Sequence, residues 1–215
     1  MTVRIRTFED RSQAAEALAG ALQAGLGAAL AARGDAALVV SGGSTPAPMF
    51  RLLRRKPLAW DRVTVLASDE RDVPPDHPDR NEAMIRRELL QNGAAAARLV
   101  SLIPPGPLPR RFDEVVLGMG EDGHTASLFP DSPDLATALA STEPLARLRV
   151  PRLDMQRVSL TPRALLAGRR ISLLFFGAAK RKVFDTALHG SDPLTYPVRA
   201  VLAQTDIPVT VYTAP

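Results

Sequence analysis

His124 sits in a glycine loop with two carboxylates beside it, Gly118-Met119-Gly120-Glu121-Asp122-Gly123-His124. Histidine side chains exchange a proton near neutral pH, so a histidine held in such a loop is suited to general base chemistry. Asp122, Glu121 or a third acid, Asp69, could orient the ring. The glycines let the backbone turn sharply and approach a ligand closely. An apolar run, Glu114-Val115-Val116-Leu117, leads into the loop and reads as a buried strand ending at the chemistry.

A second set of residues is suited to an anion. Ser41-Gly42-Gly43-Ser44-Thr45-Pro46 is a glycine turn entering a helix, offering backbone N–H groups and the hydroxyls of Ser44 and Thr45. It lacks the lysine of a Walker loop, and the same residues could also make an ordinary helix cap. Asp69-Glu70-Arg71 brings an arginine whose donor fork suits phosphate, with a surface ion pair as the alternative. Lys180, one turn into a helix after Gly177, could add a second cation or simply be solvated.

Other chemistries lose their support residue by residue. Cysteine is absent, which removes disulfides, thiolate catalysis and thiolate metal sites. His77 and His189 stand apart, and no acid or histidine spacing suits a metal. No Gly-x-Ser-x-Gly elbow occurs. Gly118, Gly120 and Gly123 do satisfy the dinucleotide pattern, but Glu121 and Asp122 lie where a pyrophosphate needs positive potential. Pro130 cuts short the helix that should follow, and about twenty residues on the chain reads Ser141-Thr142-Glu143-Pro144 rather than a strand ending in an acid.

The elements that must position these residues alternate between strand and helix. A helix is expected from Ser12, as its cap, to about Ala32, closing near Gly34. Strands are expected at Ala36 to Val40, Val63 to Ala67, Glu114 to Leu117, Arg157 to Leu160 and Ile171 to Phe176. Late strands are expected at Arg199 to Leu202 and Val209 to Tyr212. Helices are expected at Pro46 to Arg55, Asn81 to Gln91 and Ala178 to Leu188, and a loop at Ile103 to Pro109. The fold class is α/β: an open, mostly parallel, Rossmann-like sheet with helices on both faces. In such sheets ligands collect beyond the carboxyl ends of the strands, where all four polar loops fall.

Composition sets the frame. At 215 residues, 46% hydrophobic and 23% charged, the chain reads as one domain, residues 1–215, with a sizeable core. The formal charge of +4 is modest, and no basic run alternates with aromatics, so nucleic acid is not expected as a partner. No signal-peptide pattern and no run of about 18 apolar residues occurs, so a cytoplasmic enzyme without a membrane partner is expected.

Four segments together resemble the 6-phosphogluconolactonases of the glucosamine-6-phosphate isomerase/6-phosphogluconolactonase family. They are Ser41 to Pro46, Asp69-Glu70-Arg71-Asp72-Val73-Pro74, Gly118 to Pro130, and Gly177-Ala178-Ala179-Lys180, in that family's order and approximate spacing. Pro74 to Asp79 and Arg157-Val158-Ser159-Leu160-Thr161 are similar to it as well. After the histidine the chain continues Thr125-Ala126-Ser127-Leu128-Phe129-Pro130, which resembles the lactonase branch rather than the deaminases and isomerases.

The resemblance implies hydrolysis of 6-phospho-D-glucono-1,5-lactone to 6-phosphogluconate, with no metal and no organic cofactor. His124 would act as base, with Asp122 and Asp69 as its acids. Gly42, Gly43, Ser44, Thr45, Arg71, Arg80 and Lys180 would bind the substrate and its phosphate. Two departures stand out. Arg80 occupies a position where lactonases usually carry serine, which implies an altered substrate contact, and Val209 to Pro215 lacks the family's usual terminal tryptophan and aspartate. The partner implied is a small phosphosugar lactone, and the assembly a monomer or small homo-oligomer. A glucosamine-6-phosphate deaminase or isomerase, and a non-catalytic sugar-phosphate sensor, are the alternatives.

Overall fold

The computed structural model of the chain describes residues 3–215. Strand β1 (Val3–Thr7), helix α1 (Arg11–Arg33) and strand β2 (Ala36–Val40) open the fold. Helix α2 (Ala47–Leu53), strand β3 (Val63–Ala67), the short β4 (Asp69–Arg71) and helix α3 (Asn81–Glu88) follow. The middle of the chain forms β5 (Arg98–Val100), β6 (Glu114–Gly118), α4 (Leu135–Ala140) and a pair of strands, β7 (Leu145–Val150) and β8 (Met155–Leu160). After the one-turn α5 (Pro162–Leu165) come β9 (Ile171–Phe176), α6 (Ala178–His189), α7 (Arg199–Leu202) and β10 (Val209–Ala214).

Among the described residues seven strands form one sheet in the order β1-β10-β9-β6-β2-β3-β5, every neighbouring pair parallel. The sheet is open, mostly apolar and flanked by helices, the expected α/β class. β2 is Ala-Ala-Leu-Val-Val and buried at every position, as a central parallel strand covered on both faces must be. α1 buries Leu18, Leu22 and Leu26 completely, each worth about 1.5–3 kcal/mol. By length and composition α1 could cross a bilayer, with a mean hydropathy of 1.3. Its apolar stripe packs instead against α2, β2 and β10.

Register brings the strand ends level. Val40 pairs with both Ala67 and Val116, and Gly118 with Leu174. Residues just beyond β2, β3, β6 and β9 therefore share one rim.

Four expectations change. α1 is capped by Asp10 rather than Ser12: Asp10 has the extended backbone a cap needs, and its carboxylate accepts from the Gln13 N–H at 2.8 Å. Arg199–Leu202 is a helical turn, not a strand. Both flanks of β10 are already paired with β1 and β9, and so short an apolar run does not itself distinguish the two states. Arg157 to Leu160 is part of a strand, but β8 runs antiparallel between β4 and β7 in a separate three-stranded sheet. α3 ends at Glu88, short of Gln91.

Candidate active site

β6 delivers the glycine loop to the carboxyl rim, and a compact turn shapes it. Gly123 N donates to Gly120 O at 3.1 Å and Gly120 N to His124 O at 3.0 Å. His124 Nδ1 lies 2.6 Å from Asp122 Oδ1, and the His124 N–H donates to the same oxygen at 3.1 Å. With a carboxylate as its partner, Nδ1 carries the proton and Nε2 is left as the basic nitrogen. Arg152 donates to the other carboxylate oxygen, Asp122 Oδ2. Burial alone would raise the Asp122 carboxyl, but the bonds from His124 and Arg152 hold it well below the ordinary carboxylate range. The imidazole also packs on Phe129, with ring centroids 4.1 Å apart.

Gly120 cannot be another residue here without cost. A Cβ on it would lie 2.2 Å from His124 Nδ1 and 2.5 Å from Asp122 Oδ1. Gly42 is constrained the same way, since its Cβ would lie 1.9 Å from Asn81 Oδ1. Past the histidine the backbone is strained: Ala126 has a φ of 50°. That bend is followed at once by Ser127, whose hydroxyl donates to Asp69 Oδ2 at 2.6 Å.

The loop after β2 forms the opposite wall. Ser41 ties the two strand ends together, donating to Val116 O at 3.2 Å and accepting from Gly118 N at 2.9 Å. Ser44 and Thr45 make no side-chain hydrogen bonds among the described residues, and α2 has no side-chain cap. The ordinary-cap reading of these hydroxyls therefore loses its support. α2 is only seven residues long, so the loop's backbone N–H groups matter more here than a helix dipole.

Together these loops line a cavity of about 300 Å³, within reach of Gly42 to Thr45, Asp69, Arg71, His124 and Lys180. Lys180 makes no ion pair among the described residues. Arg71 is anchored by a bond to Asp79 O. No group of three or more metal-ligating side chains forms among the described residues.

Two expected residues are placed differently. Asp69 lines the cavity but does not orient His124: its oxygens accept from Ser68 Oγ at 2.8 Å and Ser127 Oγ at 2.6 Å. Arg80 does not line this cavity. It is 2% exposed, donates to Ile103 O at 2.9 Å and Val73 O at 3.1 Å, and pairs with Glu82 at 3.5 Å. At 3.9 Å it also balances Glu70, a buried acid that accepts from the N–H groups of Asn81, Glu82 and Arg71. Burial pushes the Glu70 carboxyl up, and those bonds only partly offset it. Arg80 and Glu70 thus build the floor under α3: carbonyls take the terminal nitrogens of the buried guanidinium, and Glu70 balances its charge although Nε makes no hydrogen bond.

Reading the sequence missed Arg152, Asn81 and Arg157. Arg152 lies in the short 3-10 turn Pro151–Leu153 between β7 and β8, with no motif of its own. Asn81 lines the cavity and donates to Asp69 O at 2.7 Å. Arg157 also lines it, from β8, and only the pairing of β8 with β4 brings it there.

The chain matches the family model described as glucosamine-6-phosphate isomerases/6-phosphogluconolactonase over residues 9–210. It is 41% identical to a 6-phosphogluconolactonase of Mesorhizobium japonicum, covering 97% of this chain and 94% of that one. To a 6-phosphogluconolactonase of Pseudomonas aeruginosa it is 39% identical, covering 93% and 91%. A crystal structure of a 6-phosphogluconolactonase from Shewanella baltica superposes with a TM-score of 0.95 at 37% identity, covering 99% and 98%.

Proposed function

The chain belongs to the glucosamine-6-phosphate isomerase/6-phosphogluconolactonase family, and from that premise we propose that it hydrolyses 6-phospho-D-glucono-1,5-lactone with His124 as general base. It is an enzyme of the 6-phosphogluconolactonase type, and the reaction is a step of the oxidative pentose phosphate pathway in the cytoplasm. The whole chain, residues 1–215, works as one domain.

The carrying observation is the 2.6 Å His124–Asp122 pair on a cavity that also holds cations. Nε2 of His124 takes a proton from water as its oxygen attacks the lactone carbonyl carbon. The tetrahedral intermediate collapses, the bond to the ring oxygen breaks, and the same proton passes to that oxygen. The ring opens to the acid, with atoms and charge in balance. Proton transfer of this kind contributes about 10²–10⁴-fold. Asp122 holds the ring in the productive tautomer and balances the imidazolium as it forms. Backbone N–H groups of the glycine loops stabilise the developing oxyanion.

Arg71 and Lys180, with Gly42, Gly43, Ser44 and Thr45, hold the phosphate away from the reacting carbon. Binding at this remote group positions the lactone for attack. The test is hydrolysis of freshly generated 6-phosphogluconolactone above its spontaneous background. Wild type should accelerate it, and His124→Ala should lose about 10²-fold or more. Near-normal turnover by His124→Ala would overturn the mechanism, and release of ammonia from glucosamine 6-phosphate would overturn the substrate.

A further inference from the structure

Arg157 is 7% exposed, yet its guanidinium makes no hydrogen bond among the described residues. Its Nε is buried without a partner, as are those of Arg54, Arg71, Arg80 and Arg199, but each of these four donates elsewhere through its terminal nitrogens and Arg157 does not. Buried arginine donors are ordinarily filled, since leaving them empty is costly. The nearest acid is Asp69, with Oδ2 3.9 Å from Arg157 Nη1, and both Asp69 oxygens already accept from serine hydroxyls. A loose contact with the Phe129 ring, at 5.9 Å, is what remains.

The strand register adds a second oddity. β4 and β8 pair antiparallel with Arg71 directly opposite Arg157, and both side chains line the cavity. Like charges directly across a sheet repel. Burial first, and then the charge of Arg71, pull the Arg157 guanidinium below its ordinary value. Arg71, Arg157 and Lys180 against Asp69 leave the cavity wall two positive charges in excess. A phosphomonoester carries about −1.5 to −2 at neutral pH.

The geometry points to Arg157 as a substrate-binding residue, forming with Arg71 a two-arginine fork on the phosphate of the lactone. The fork rests on the lactonase reading for its substrate, but its anion chemistry can be tested apart from turnover. An anion between the two guanidiniums fills the empty donors and turns a repulsive pair into a cooperative one. Asp69 then serves as the counter-ion that holds Arg157 at the cavity, and this explains its place there without a bond to His124.

The experiment compares wild type, Arg157→Met and Arg157→Lys in two ways. The first is the ratio of kcat/KM on 6-phosphogluconolactone to that on unphosphorylated gluconolactone. The second is calorimetric binding of inorganic phosphate. The fork requires Arg157→Met to lower the ratio by about 10–100-fold, mainly through KM, and to weaken phosphate binding by a similar factor. Arg157→Lys keeps the charge beside Asp69, falls between the two, and serves alone where the methionine variant does not fold. Equal losses on both lactones, or phosphate binding unchanged in either variant, would make Arg157 part of the scaffold and overturn the fork. Failure of wild type to accelerate lactone hydrolysis would sink the lactonase reading alone, and phosphate binding lost with Arg157 would still support the fork.

Discussion

Strand β6 begins with one acid, Glu114, and leads into a loop holding another, Asp122, and the two are held in opposite states. Glu114 opens the strand at the amino rim, under Gly25 of α1, where a Cβ would lie 1.6 Å from Glu114 Oε1. Asp122 lies just past the other end. Burial pushes Glu114 up to about 8; Arg170, 3.3 Å away, offsets only part of this, and neighbouring Asp113 adds to the rise. Burial also acts on Asp122, yet two donors from His124 and one from Arg152 outweigh it. A carboxylate stays charged in a fold when donors are arranged around it. Where burial outweighs the cations beside it, as Arg170 and Arg169 are outweighed at Glu114, it takes up a proton instead.

Replacing Asp122 by Asn attacks the comparison at its stronger end. The amide keeps the shape but loses the charge that fixes the His124 tautomer, so kcat should fall by about 10²–10⁴-fold. Steady-state rates on the phosphorylated lactone measure it, and a loss below tenfold would leave Asp122 as mere packing.

Gly120→Ala leaves both charges in place and moves them. Its Cβ would strike the dyad, and a displacement near 1 Å should cost about 10²-fold in rate while the fold survives. Unchanged kcat with a normal melting curve would show that the pair tolerates the shift.

Glu114→Gln should leave activity alone and change the pH dependence of stability. The folded-state value of Glu114, about 8, lies above its unfolded value. Its contribution is therefore complete below the unfolded carboxylate range and fades as pH rises toward 8. Wild type should lose stability relative to Glu114→Gln between pH 5 and pH 8, on the order of 3 kcal/mol. Denaturant midpoints at the two pH values read this out, and parallel profiles would mean that Glu114 is ionised in the folded chain.

Much of the frame was legible from local pattern. β2, β3 and β9 match their expected bounds, because strands buried on both faces are continuous apolar runs. The histidine loop was legible for a related reason: glycines and a histidine directly after such a run have few structural uses. β4 and β7 were not legible. Asp69–Arg71 has no apolar signal at all, and β7 alternates weakly. Arg80 looked like a ligand contact because nothing local reveals that Glu70, Glu82 and two carbonyls enclose it.

By itself the sequence determined the α/β class, the order of the polar loops along one rim, and His124 as the base candidate. Each follows from neighbours within a few residues and the periodicity of apolar side chains. Only the tertiary structure decided which acid pairs with His124, that Arg80 serves the scaffold, and that Arg157 faces Arg71. The first is a contact only two residues apart, chosen among acids that local sequence leaves equivalent; Arg80 bonds to carbonyls 7 and 23 residues away, and Arg157 meets Arg71 across 86 residues, where strand register rather than any local signal sets the geometry.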